Sequence, residues 1–338
     1  MKGLKIEGVK DMIVVTGGAG FIGSAFVWKL NQQGIDDIVI VDSLGNDDKW
    51  KNLVNLRFAD YIHKDNFLRL ICDDQVPFDV SAIVHMGACS STTERDADYL
   101  WNNNYLYTKT LAVWALQRGI RYIYASSAAT YGDGTQGFSD DHSKINELKP
   151  INMYGYSKQV FDLWALKNQV ENKIAGIKFF NVLGPNEYHK ADMTSVIFKA
   201  FHQIKETGKV KLFKSYIPEY KDGGQLRDFV YIKDCIDVMW WLFNNPAANG
   251  IFNLGTGKAR TWNDLIKSVF TAMGLKTNIE YIEMPESLRN QYQYFTEAKM
   301  GKLKAAGYPV AFSSLEDSVR DYVVNHLQKP DQHLGQSK

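Results

Sequence analysis

Two groups of residues in this chain have the types and spacing to do chemistry. The first is Tyr154-Gly155-Tyr156-Ser157-Lys158, a phenol and an ammonium four residues apart. On a helix that spacing puts both on one face. A neighbouring ammonium favours the phenolate, so the tyrosine pKa is expected below its usual value of about 10. Such a tyrosine can take a proton from an alcohol while hydride leaves the carbon. Tyr-x-x-x-Lys alone is a weak signal, since both residues are common on helix surfaces. It gains weight from following a strand-like run that carries Ser126-Ser127, where Ser127 is placed to hydrogen-bond the same alcohol oxygen.

The second group is a turn. Thr16 to Gly23 reads TGGAGFIG, which contains Gly18-x-Gly20-x-x-Gly23 and also the spacing Gly17, Gly20, Gly23. It follows a strand-like run and opens a helix-like one, the context a dinucleotide fingerprint needs. The glycines let the backbone approach a pyrophosphate, and the helix N-terminus offers free N–H donors. Asp42 follows Gly23 by about 20 residues, where a carboxylate meets a ribose hydroxyl. Asp42 favours NAD, because it repels a 2′-phosphate; Lys49 and Lys64 are available to neutralise one. In such a site Lys158 can also hold the nicotinamide ribose.

These groups need a frame. Met12 to Val15, Ile38 to Val41, Ala82 to Met86, Tyr122 to Ala125 and Ala175 to Phe180 read as strands apolar on both faces. Helical stretches alternate with them at Phe21 to Gln33, about Leu100 to Gln117 and about Tyr154 to Val170. That alternation predicts an α/β fold, a Rossmann-type doubly wound parallel sheet covered by helices. After Asn181 the texture changes: Gly184-Pro185 breaks the chain, and Tyr216 to Gln225 is polar and turn-rich. The expected division is a cofactor-binding domain over 12–181 and a smaller, mainly substrate-binding region over 182–322. Strands near Arg227 to Tyr231 and Ile251 to Leu254 are expected to return to the main sheet, and the polar end from about Lys329 is expected to fray.

The 338 residues hold 39 Lys+Arg against 38 Asp+Glu, a net charge of +1 that leaves no footprint for nucleic acid or an anionic membrane. Cys72, Cys89 and Cys235 form no CxxC, so they predict free thiols in a reducing cytosol and no metal site. Residues 1–11 contain no signal-peptide core and read as a lead-in. A cytoplasmic protein is expected.

TGGAGFIG, SSAATYG (Ser126 to Gly132), YGYSK and RDFVYIKD (Arg227 to Asp234) together resemble the extended short-chain dehydrogenase/reductase superfamily, whose members mostly work on nucleotide sugars. GACSSTTE (Gly87 to Glu94), NNNY (Asn102 to Tyr105) and FFNVLGPNEYHK (Phe179 to Lys190) are similar to its ADP-glyceromanno-heptose 6-epimerase family, and the similarity runs from about Met12 to about Tyr322. The resemblance implies an isomerase of lipopolysaccharide inner-core precursor biosynthesis that inverts C6 of the heptose in ADP-D-glycero-D-manno-heptose. It implies one tightly bound NADP per subunit and a homopentamer. It implies that Phe21, Ile22, Asp42, Ser43, Lys49, Lys64, Met86, Gly87, Ala88, Cys89, Ser90, Asn103, Lys158 and Val182 line the cofactor, within reach of Tyr154 and Lys190. It implies that Asn181, Asp192, Lys199, Phe213, Lys214, Ser215, Tyr216, Arg227 and Tyr292 line the sugar nucleotide. Tyr154 and Lys190 fall on the family's two catalytic positions. Met86 and Lys199 stand where its pattern has glutamate and histidine, and Ser215 to Gln225 is longer than usual.

Each reading has a plainer rival. A lysine after Gly184-Pro185 is by default solvated. Arg227 is either an ion-pair partner of Asp228 or a clamp on phosphate, which its planar fork suits. His85 lies in an apolar run and reads as packed core; His189 reads as positional. A 4,6-dehydratase needs an Asp-Glu pair where this chain has Ala128 and Ala129. A UDP-hexose 4-epimerase would share the fold. A non-catalytic NADP-binding sensor would keep the glycines and lose the tyrosine.

Overall fold

The computed structural model describes residues 11–289 and 292–335. The lead-in expected over 1–11 lies, but for Asp11, outside them. Strands β1 (Met12–Thr16), β2 (Ile38–Asp42), β3 (Asp60–His63), β4 (Val80–His85), β5 (Arg121–Ser127) and β6 (Ala175–Phe179) build the main sheet together with a late strand, Gly250–Leu254. Numbering continues with β7 (Asn181–Leu183), β8 (Val210–Phe213), β9 (Leu226–Tyr231), that late strand as β10, β11 (Ala259–Thr261) and β12 (Ile279–Ile282). The seven-stranded order is β10-β6-β5-β4-β1-β2-β3. Every neighbouring pair is parallel. β2, β6 and β10 are buried along their whole length, as a sheet covered on both faces requires.

The covering helices include α1 (Phe21–Gln32), α2 (Lys64–Cys72), α3 (Ala97–Leu100), α4 (Tyr107–Gln117), α5 (Met153–Lys167), α6 (Val196–Thr207), α7 (Ile232–Asn244) and α8 (Trp262–Ala272). Trp101–Leu106 is a wider π turn that joins α3 to α4, so the helix expected from Leu100 to Gln117 is continuous but irregular. The apolar stretch Cys235 to Phe243 lies in α7, which packs against α1. No helix among the described residues is long and apolar enough to cross a membrane. All three cysteines are free.

Two expectations fail. Only one of the late strands rejoins the main sheet. β10 pairs with β6, whereas β9 stands between β7 and β11 in a separate three-stranded sheet. β7 begins two residues after β6 ends and takes β9 as its parallel partner, drawing it away from the central layer. Nor does the polar segment from Lys329 fray as far as residue 335. Leu334 is buried, and its N–H donates to Asn186 Oδ1 at 2.9 Å, while the Tyr188 hydroxyl donates to the Gln332 carbonyl at 2.7 Å. One apolar side chain anchors an otherwise polar segment.

The outer edge of β10 is closed by side chains. His142 Nε2 accepts from the Ile251 N–H, Asp140 Oδ2 accepts from the Asn253 N–H, and Lys302 Nζ donates to the Ile251 carbonyl. An edge with its hydrogen bonds filled offers no template for another strand.

Candidate active site

The strand order reverses between β1 and β4, and the crevice beyond their carboxyl ends is where such sheets bind ligands. A Cβ on Gly17 would lie 2.6 Å from the Gly87 nitrogen, so the turns after β1 and β4 meet where only glycine fits. Gly17 also has φ 64°. Beneath them His85, fully buried, bonds Thr16 Oγ1 through Nδ1 at 2.5 Å and Thr108 Oγ1 through Nε2 at 2.8 Å. Burial drives its pKa far down, which leaves it a neutral strut between the end of β1 and α4.

The glycine turn fits a pyrophosphate. Gly20, the N-cap of α1, brings no side chain to the first turn, and no acidic residue stands there. The Phe21, Ile22 and Gly23 amides therefore open the helix without intrahelical partners. Asp42 is buried and heavily bonded: Oδ2 accepts from the Ala19 N–H at 2.9 Å, and Oδ1 from the Ser43 N–H at 2.7 Å and from Lys49 Nζ at 3.0 Å. Its charge is thus largely answered. Lys64 Nζ donates to Asn103 Oδ1 at 3.0 Å and lies 3.3 Å from Asp65.

A cavity of about 620 Å³ runs from this turn past the ends of β5 and β6. It brings together Gly17, Gly20, Phe21, Ile22, Gly23, Asp42, Lys49, Met86, Gly87, Ala88, Ser90, Ser127, Tyr154, Lys158, Asn181, Val182 and Lys190. Ser43, Lys64, Cys89 and Asn103 are not among its lining residues; the Cys89 N–H donates to Asn104 Oδ1, and Asn103 is the neighbour of Asn104 in the π turn.

Most of the expected sugar-nucleotide residues lie off the cavity wall. Arg227 is nearly buried, with its guanidinium carbon 5.6 Å from the Trp262 ring and 5.5 Å from the Tyr292 ring, and Phe213 meets Tyr292 edge-on. Trp262 itself lines the cavity. Asp228, the rival partner of Arg227, instead accepts backbone N–H groups from Thr256, Gly257 and Ala298. The ion-pair reading of Arg227 therefore fails, and its Nη1 instead donates to the Leu226 carbonyl at 2.8 Å. Lys214 and Tyr216 both turn to Glu283, Ser215 donates to Asp222, and Lys199 donates to the Asp192 carbonyl.

Asn152 caps α5 through the Gly155 N–H, which places Tyr154 in the first turn and Lys158 one turn later. Lys158 Nζ donates to the Ala125 carbonyl at 2.8 Å. Burial pushes its pKa down to about 8, against the opposing pull of Asp162 and Cys89. Tyr154 corrects the sequence expectation. Burial raises its pKa, and the Ser127 hydrogen bond only partly offsets that. Desolvation of a phenolate outweighs a lysine whose ammonium is turned to a carbonyl.

Lys190 sits in the turn Tyr188–Met193, its Nζ 5.2 Å from the Phe21 ring centroid. Burial lowers its pKa, and Glu187 pulls it back up. The next residue, Ala191, is strained at φ 45°, ψ −122°. Asn52 was not foreseen. Its Nδ2 reaches the Ala19 carbonyl at 2.9 Å, the Asn186 carbonyl at 3.0 Å and His189 Nδ1 at 3.3 Å. It ties the glycine turn to the Lys190 turn, and His189 itself lines the cavity. Gln293, also unforeseen, donates from Nε2 to the Gly132 carbonyl at 3.0 Å on the far wall.

A dinucleotide turn facing a hydroxyl, a phenol and an ammonium across one cavity is the working arrangement of the short-chain dehydrogenases, and fold and site together place the chain in that class. The NAD dependent epimerase/dehydratase family matches residues 13–255; the chain belongs to it, and groups there with the ADP-L-glycero-D-manno-heptose-6-epimerases. It is 60% identical over 96% of its length to all of the enzyme of that name from Nitratidesulfovibrio vulgaris strain Hildenborough. It is 52% identical, again over 96% of its length and all of the relative, to that from Fusobacterium nucleatum. The crystal structure of the Helicobacter pylori enzyme of the same name superposes with a TM-score of 0.77 at 27% identity, covering 96% of this chain and 99% of that one.

Proposed function

We propose that the protein inverts C6 of the heptose in ADP-D-glycero-D-manno-heptose, giving the L-glycero epimer through a 6-keto sugar. The observation that carries this reading is that Tyr154 and Lys190, brought by different elements, face one cavity beside a dinucleotide turn. Two proton-transfer groups in one cavity can serve the two faces of the same carbon, whereas with a single tyrosine one group would have to serve both. The relatives' name supports the substrate.

When bound, the nicotinamide supplies the place where a hydride is parked and taken back. The chain's own residues handle the protons. Tyr154 rests as a phenol, because burial disfavours its anion, and Ser127 and Lys158 line the same cavity. Lys190 is a half-buried ammonium that gives up its proton more readily than a solvated one. General acid–base help of this kind is worth about 10²–10⁴-fold per group. Ala128 and Ala129 line the same cavity and cannot expel water, which leaves no machinery for a dehydratase there.

The test is incubation with ADP-D-glycero-D-manno-heptose in D₂O, following C6 by NMR. Epimerisation with the C6 proton retained is expected. Deuterium at C6 would mean carbanion chemistry, and no turnover of the heptose would remove the substrate assignment.

The same reading takes the cofactor as NADP, one per subunit, with Lys49 and Lys64 near the 2′-phosphate and Asp42 neutralised by its bonds to Lys49 and two amides. Heat release and chromatography of the bound nucleotide should give NADP; recovery of NAD alone would sink this. By resemblance the enzyme works as a cytoplasmic homopentamer on a lipopolysaccharide precursor.

A further inference from the structure

Behind the proposed catalytic groups lies a charged pair with no access to water. Asp162, on α5, and Lys178, on β6, are both 0% exposed, with Lys178 Nζ 2.6 Å from Asp162 Oδ2. The same carboxylate accepts from the Tyr124 hydroxyl at 2.9 Å on Oδ1 and from Ser126 Oγ at 2.7 Å on Oδ2. Lys178 Nζ also donates to Thr130 Oγ1 at 2.7 Å and stands 5.3 Å from the Tyr131 ring centroid. Taking two charges out of water is expensive, and a well-packed apolar pair is often at least as stable. Stability is therefore a poor account of this pair, and its position supplies a better one.

Asp162 is one turn beyond Lys158 and two turns beyond Tyr154, on one face of α5. Opposite it, two successive residues of β5 each engage one of those side chains. The Ala125 carbonyl accepts from Lys158 and the Ser126 hydroxyl donates to Asp162, while Ser127, next along the strand, lines the same cavity as Tyr154. The helix and the strand are thus pinned in one register at two points, and the deeper pin is the charged one. Lys178 then fastens that pin to β6, the next strand.

We propose that Asp162 is a positioning residue of the reaction, whose carboxylate locks α5 against the active end of β5 and supplies the counter-charge behind Lys158. The proposal rests on the roles given above to Tyr154 and Lys158. It has a consequence in pH. The groups facing Lys158 are Asp162 and Tyr154 from its own helix, Cys89 from the turn after β4, and the neutral His85 from β4, with Lys178 reaching it through Asp162. Asp162 holds the Lys158 pKa up against burial. A lysine whose pKa is lowered loses its charge sooner as pH rises. Removing the carboxylate must therefore move the alkaline limb of kcat to lower pH.

The test compares wild type with Asp162→Asn and with the double variant Asp162→Asn/Lys178→Met. The single change strands a buried ammonium and risks the fold; the double change removes both charges and keeps the volume. The double variant should fold, keep its bound cofactor and show a near-normal KM. Its kcat should fall about tenfold or more, since small displacements of a catalytic group cost up to about 10²-fold. Its alkaline limb should move to lower pH, and Asp162→Glu should recover part of both losses. An unmoved limb with wild-type kcat in the folded double variant overturns the proposal, as does a loss of kcat with the limb unmoved. Tyr154→Phe, measured in parallel, separates the two readings. Full activity in that variant overturns the role of Tyr154, whatever Asp162 does.

Discussion

Tyr154→Phe and Lys190→Met are each expected to lose about 10²-fold or more of epimerase activity, the lower range for one acid–base group. Both should fold and retain cofactor. Phenylalanine keeps the ring and loses only the hydroxyl, and methionine keeps the stem of Lys190 while neither change alters the backbone of the glycine turn. Their partial reactions should differ. With a 6-aldehyde sugar nucleotide, oxidised and reduced in pairs, each variant should slow one of the two half-reactions more than the other if the two groups serve different faces. Lys190→Met at wild-type rate would end the two-group mechanism. The lysine would then be a phosphate or loop contact.

Gly23→Ala should have the largest effect on the fold around the cofactor. A Cβ there would stand 2.1 Å from the Gly17 carbonyl oxygen and 2.7 Å from its carbon, both backbone atoms. Neither can swing aside, so α1 must move off the turn whose amides face the pyrophosphate. Overpacking of this kind costs about 1–3 kcal/mol. The expected result is a purified protein with little bound nucleotide and a lowered melting temperature. Gly20→Ala is the control, because its Cβ would meet only the Gly17 carbonyl oxygen, at 3.1 Å. A Gly23→Ala protein with full cofactor and unchanged melting would show that the close approach does not govern binding.

Local signals carried far in this chain. TGGAGFIG and YGYSK each lie within one turn and one helix, so spacing alone announces how their atoms meet. The parallel core was legible because β2, β6 and β10 are apolar on both faces. What spacing does not show is partnership across the fold. Asn52 reads as one more polar residue, yet it joins Ala19 to Asn186, the latter 134 positions further along the chain. Lys178 breaks an apolar run, and only its contact with Asp162 explains why it is tolerated. β9 carries a motif noticed at once, but its place depended on a competitor, the three-residue β7. The sign of the Tyr154 shift was missed for a similar reason. Helical spacing predicted a nearby ammonium, and burial, which spacing cannot reveal, decided the balance.

The docked tail gives this enzyme a schedule. A chain grows from its amino end, and its early segments fold first. The glycine turn, the Tyr154 helix and most of the main sheet can assemble while synthesis continues. The Lys190 turn cannot reach its final form so early, because Asn186 and Tyr188 wait for residues 332–334 to arrive. The nascent chain can thus build its dinucleotide turn well before the turn that carries Lys190 is set.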